Sequence, residues 1–149
     1  MKNNIRILIT TILIIAITSC SSPENTEAQI NNVDVSSASE LLNNDKNIVV
    51  LDVRTPEEHA AGHIEGSVNI NIAEDSFSYK AAKLDQDKTY IVHCAANTKN
   101  GRTDKSITIM KELGFKNLLN LEGGIVAWEK ADQPMTKVDE IKDHQENAE

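Results

Sequence analysis

From residue 33 onward, short apolar runs alternate with stretches of helical periodicity. Ile48-Val49-Val50-Leu51 is apolar without interruption, the mark of a strand buried on both faces in a parallel sheet. Tyr90-Ile91-Val92 predicts a similar strand over Thr89–His93, and further strands are expected at Val33–Val35, Val68–Ile72 and Leu118–Leu121. Helices fall between them. Ser36 or Ser37 caps a helix carrying Leu41 and Leu42, with Ser37 and Glu40 at capping-box spacing. Thr55 precedes Pro56 at a first helical position, so a short helix begins there. Phe77–Leu84 is a third helix. Ile107, Met110 and Leu113 share one face of a fourth, over Ser106–Leu113, with Gly114 where a C-terminal cap belongs. A fifth runs through Ile125 and Trp128. Strands separated by helices predict an α/β domain with a mostly parallel sheet.

The chain ends read differently. Lys2 and Arg6 precede an apolar run, Ile7 to Ile17, too short for the roughly 20 residues of a membrane-spanning helix. Residues 1–19 are therefore expected to be a signal peptide. The run leads into Ile17-Thr18-Ser19-Cys20, which resembles the lipobox of bacterial lipoproteins, where the cysteine is acylated; the alternative is an ordinary secretory signal. Residues 20–32 then hold the lipidated cysteine and a polar tether reaching roughly 20 Å. The domain is expected over residues 33–136, and residues 137–149 form an acidic tail expected to fray. The anticipated location is a bacterial cell envelope, on a lipid anchor.

Composition narrows the chemistry. The 149 residues allow one ordinary domain, and the formal charge is −8 with only 3% aromatics. Without residues 1–19, which hold two basic and no acidic side chains, that charge becomes −10. Neither value suits a nucleic-acid partner, which needs a basic footprint or stacking surface. Two cysteines, Cys20 and Cys94, are too few for a zinc ribbon or disulfide framework, and no metal or cofactor is implied. With Cys20 lipidated, Cys94 has no cysteine to pair with, so it is either a reactive thiol or a small buried hydrophobe.

The position of Cys94 favours reactivity. It directly follows the Thr89–His93 strand and opens a loop of Ala95, Ala96, Asn97, Thr98, Lys99, Asn100, Gly101 and Arg102 that feeds the next helix. In parallel α/β sheets, ligands bind at the carboxyl ends of strands. Backbone N–H groups and a helix N-terminus converging there favour an anion and a nucleophilic thiolate. Lys99, Arg102 and Lys105, set against Asp104, give residues 94–106 a net +2 within an acidic chain. That contrast points to an anionic substrate.

Four motifs in order resemble the rhodanese-like family, over the whole expected domain. Leu51-Asp52-Val53-Arg54 with Glu58, and Gly62-His63-Ile64-Glu65-Gly66-Ser67-Val68-Asn69-Ile70, are similar to its LDVR and GHIxGAxNI signatures. Leu113-Gly114-Phe115 and Leu121-Glu122-Gly123-Gly124-Ile125-Val126-Ala127-Trp128 resemble its C-terminal LGF and LxGGxxAW patterns. The resemblance implies a five-stranded, mostly parallel sheet with helices on both faces, and a Cys94 that carries sulfane sulfur as a persulfide. The partners it implies are a small anionic sulfur donor, such as thiosulfate, and a thiol or cyanide-like acceptor. One departure stands out. The family's usual loop has four residues between cysteine and arginine, whereas Arg102 lies eight positions after Cys94. Related dual-specificity phosphatases place their arginine where Asn100 stands here. A non-catalytic binding or redox-sensing module is thus the alternative to a sulfurtransferase, with a phosphatase or arsenate reductase third. Asp52 and Arg54 are expected to brace the strand exit, His63 to bond backbone in a turn, and the His93 side chain to point away from the Cys94 loop.

Overall fold

The computed structural model describes residues 30–96 and 100–137. Strand β1 (Asn31–Val33) leads into helix α1 (Val35–Asn44), then β2 (Ile48–Asp52) and α2 (Pro56–Ala61). Next come β3 (Gly62–Ile64), β4 (Val68–Asn69), α3 (Phe77–Ala81) and β5 (Thr89–His93). Helix α4 (Arg102–Glu112), β6 (Leu118–Leu121), α5 (Gly124–Lys130) and β7 (Met135–Lys137) complete the order. Five strands form one sheet in the order β1-β6-β5-β2-β4, and every pairing in it is parallel.

Two apolar layers cover the sheet, because alternate residues of each strand face opposite ways. On one face Leu51, Tyr90 and Val92 pack against Phe77 and Ala81 of α3 and Ile107 and Met110 of α4. On the other, Val50, Ile91 and Leu121 pack against Ala38 of α1 and Ile125 and Trp128 of α5. The helices lie on both faces of a five-stranded parallel sheet, as anticipated. β5 lies centrally, flanked by β6 and β2.

Local chemistry explains most element ends. Thr55 and Glu58 form a reciprocal capping box at α2, with Pro56 at its start. Helix α1, by contrast, is capped by Asp34, whose carboxylate accepts the Ser37 N–H at 2.8 Å, and neither Ser36 nor Ser37 is its cap. Val35 accordingly opens that helix and does not extend the strand. Helix α4 begins four residues before the expected Ser106, since Thr103 and Ser106 are buried polar residues that apolar periodicity overlooks.

A second, antiparallel sheet of β3 and β7 pairs Gly62 with Lys137, His63 with Thr136 and Ile64 with Met135. Neither strand was expected: Gly62-His63 reads as a turn, and three-residue strands carry almost no pattern. The ladder also extends to Lys137, one residue beyond the expected domain end, while β1 opens two residues before the expected start. The proposed signal peptide, Cys20, most of the tether and residues 138–149 lie outside the described residues. Among the described residues, no helix is long and apolar enough to cross a membrane.

Candidate active site

Cys94 follows β5 at the carboxyl end of the sheet and is 3% exposed. Its Sγ lies 3.4 Å from the Ala96 carbonyl oxygen. The two peptides that follow it are held from α5. The Ile125 N–H donates to the Cys94 carbonyl at 3.0 Å, and the Val126 N–H donates to that of Ala95 at 3.1 Å. This close approach depends on Gly124. It has φ +59°, and a Cβ there would lie 2.5 Å from the Cys94 oxygen and 2.8 Å from the Ala95 oxygen. A side chain at residue 124 would therefore push α5 off the cysteine segment.

His93 adds a third tie. Its ring follows the side of Ile91, opposite Val92, as strand alternation requires. It nevertheless reaches back, with Nδ1 3.2 Å from the Cys94 carbonyl oxygen. A carbonyl only accepts, so Nδ1 carries the proton and Nε2 presents a lone pair. That Nε2 is buried without a hydrogen-bond partner among the described residues, 3.9 Å from Asp52 Oδ2. Burial lowers the His93 pKa, and the Asp52 carboxylate only partly opposes this, so the ring is neutral at pH 7.

Asp52 and Arg54 brace the β2 exit. Arg54 Nη2 donates to Asp52 Oδ2 at 2.6 Å and to the Gly62 carbonyl at 2.8 Å, while Nε donates to Asp52 Oδ1 at 3.0 Å. The Arg54 N–H caps the same carboxylate at 2.9 Å. Asn69 Nδ2 donates to the Asp52 and Arg54 carbonyls at 3.0 and 2.9 Å, tying β4 to this corner. His63 Nδ1 bonds the His59 carbonyl at 2.9 Å and its ring stacks on His59 at 3.9 Å, but it does so from a strand.

At the far end of the loop, Asn100 has φ 59° and donates its N–H to Asp104 Oδ2 at 2.7 Å, just before α4 starts. Asn97, Thr98 and Lys99, expected to line the site, lie outside the described residues. Arg102, the first residue of α4, was expected to face an anionic donor. Its Nη1 and Nη2 instead donate to Glu58 Oε2 and Oε1, at 2.6 and 3.0 Å. This fork holds the Glu58 carboxyl down to about 2, first through the Arg102 hydrogen bonds. A 420 Å³ cavity beside the loop's return is lined by Asn100, Asp104, Lys105 and Thr108, and Cys94 does not border it.

The structure thus brings Cys94, Asp52, Arg54 and the Gly101–Arg102 helix start to one end of the sheet. It adds three residues that sequence reading left out of the site. Gly124 was visible as part of a double glycine but read only as a turn. Glu58 stood in the LDVR-like motif and His93 beside the cysteine, but neither partnership was visible, because both depend on the fold.

The rhodanese-like domain family model matches residues 34–131. The chain is 33% identical over 93 residues to the probable adenylyltransferase/sulfurtransferase MoeZ of Mycobacterium tuberculosis. That match takes in 62% of this chain but only 23% of the relative. The putative sulfurtransferase YtwF of Bacillus subtilis is 31% identical over 106 residues, 71% of this chain and 97% of its own length. Among solved structures, a rhodanese-related protein from Thermoplasma volcanium superposes with a TM-score of 0.59 at 32% identity, covering 71% of this chain and 97% of that one.

Proposed function

The chain belongs to the rhodanese-like family, and on that premise we propose that it is a sulfurtransferase working through a persulfide on Cys94. The Cys94 thiolate attacks the sulfane sulfur of thiosulfate or a related donor, and sulfite leaves with the electron pair of the broken S–S bond. A thiol or cyanide-like acceptor then takes the outer sulfur and restores the thiolate. The observation that carries this reading is the seat of Cys94: it ends a central strand, and its carbonyl accepts from Ile125 and His93. A cysteine held by its backbone keeps its sulfur in one place through both displacements.

The experiment is thiosulfate exposure followed by intact-mass measurement. One added sulfur is expected, removable by cyanide and absent from Cys94→Ser. An unchanged mass together with hydrolysis of an aryl phosphate would assign a phosphatase instead. Neither outcome would leave a binding or redox-sensing module. The proposal also includes export and lipid attachment at Cys20, supported by the Ile7–Ile17 apolar run and the lipobox-like Ile17-Thr18-Ser19-Cys20.

A further inference from the structure

Among the described residues, two ion pairs stand at the Cys94 end of the sheet. Asp52 and Arg54 form one, fully buried and joined at 2.6 Å. Glu58 and Arg102 form the other, half-buried at 2.6 Å, and the Cys94 sulfur and Asp52 carboxylate both lie near enough to reinforce the charge on Arg102. Glu58 is gripped from two sides. Its Oε2 accepts the Thr55 N–H at 2.9 Å, and its own N–H donates to Thr55 Oγ1 at 3.2 Å. The capping box of α2 therefore aims this carboxylate across at the first residue of α4.

A neighbouring cavity repeats the pattern. It measures 270 Å³ and is lined in part by Arg54, Glu58, Ile125, Glu129, Met135 and Lys137. Cys94 itself does not border this hollow, which shares Arg54 and Glu58 with the two pairs. Each charge on its wall is matched: Arg54 by Asp52, Glu58 by Arg102, and Lys137 by Glu129 at 3.1 Å. Ile125 and Met135 contribute apolar surface between them.

Such surroundings suit one class of sulfur donor better than another. A small dianion gives up strong hydration on entering a site and recovers it only from uncompensated donors. An arginine already forked onto a carboxylate offers no net charge in return. We propose that Glu58, by neutralising Arg102, is a specificity-determining residue that turns the Cys94 site toward hydropersulfides, R–S–SH with an uncharged outer group, and away from the thiosulfate dianion. This rests on the sulfurtransferase reading above. In the preferred reaction the Cys94 thiolate attacks the terminal sulfur of R–S–SH. A new S–S bond forms, the donor's S–S bond breaks, R–S⁻ leaves with the electron pair, and the proton stays on the transferred sulfur. Glu58 takes no part in these bond changes and acts only through Arg102.

The test compares Cys94 loading rates by intact mass, using 2-hydroxyethyl hydropersulfide and thiosulfate, in the full chain and in Glu58→Gln. Glutamine also serves the capping box, so α2 keeps its start while the charge is lost. The variant should load from thiosulfate about tenfold faster, with the hydropersulfide rate within about twofold of wild type. An equal change for both donors overturns the proposal, because a merely structural Glu58 would affect both alike. If the wild type loads from neither donor, the sulfurtransferase reading fails and the proposal falls with it. Should Glu58→Gln not fold, the wild type's salt response decides. Thiosulfate loading that does not fall as ionic strength rises supports a neutralised Arg102, and a steep fall overturns it.

Discussion

At the level of single residues, His93 links stability to acidity. Its ring is buried and neutral, with one nitrogen spent on the Cys94 carbonyl and the other facing Asp52 unpartnered. Burial depresses its folded pKa below the ordinary histidine value, and burial does the same for His59. In the unfolded chain both histidines take up protons as pH falls below about 6.5, while the folded protein takes them up only at lower pH. Stability is therefore full above that range and is lost on acidification, at up to about 1.4 kcal/mol per pH unit for the buried His93 and by less for the partly exposed His59. Denaturant titrations at pH 7.5 and 5.5 should show the loss. His93→Asn, which keeps a side-chain N–H for the Cys94 carbonyl, should make it shallower. An unchanged pH response in His93→Asn would mean that the ring is already charged in the folded state. Glu58 acts lower down. Its carboxyl sits at about 2 in the fold against an ordinary 4.5, so the stability it contributes is present above 4.5 and disappears as pH falls toward 2. Because Glu58 and Arg102 are about one-third exposed, that contribution is modest.

Between elements, the decisive junction is where α5 meets the cysteine segment. Gly124→Ala places a methyl 2.5 Å from the Cys94 oxygen at a backbone angle that β-carbons disfavour. It should cost roughly 2 kcal/mol or more of stability in chemical denaturation and slow persulfide formation on Cys94. A variant as stable and as fast as wild type would show that α5 does not need its close approach. This junction also shows what can be read from sequence. β2, β5 and β6 were legible because each is a nearly unbroken apolar run, and α2 because a capping threonine precedes a proline at its first position. β3 and β7 were not, since three residues of ordinary composition become strands only when Ile64 and Met135 find one another across the fold. The site divides in the same way. Cys94 was legible from its place after a buried strand. The Glu58–Arg102 fork joins residues 44 positions apart, and no local pattern announces it. Hence Arg102 counted toward the loop's net positive charge in the sequence, although its partner arrives from α2.

For the molecule as a whole, the parallel sheet sets the side from which the chain enters the domain relative to Cys94. Every strand of the main sheet runs the same way, so the chain enters β1 running toward the Cys94 end, from the side away from it. Asn31 stands level with Leu119 and Ile91, three residues before Cys94, so at about 3.3 Å per residue the two lie roughly 10 Å apart along the strands. The segment leading from Cys20 enters β1 at Asn31, on the side away from the thiol. With Cys20 acylated as proposed, entry from the side away from the thiol favours an outward-facing Cys94 end, and the acidic charge of −10 would discourage the domain from lying flat on anionic lipid. Two outcomes are expected together. Cys20→Ser should move the protein from the membrane fraction to the soluble fraction, and Cys94 in the membrane-bound wild type should load from a sulfur donor as fast as in the released variant. Membrane attachment that survives Cys20→Ser would refute the lipid anchor. Release accompanied by a large gain in loading rate would refute the outward orientation, because the lipid surface would then have been covering the site.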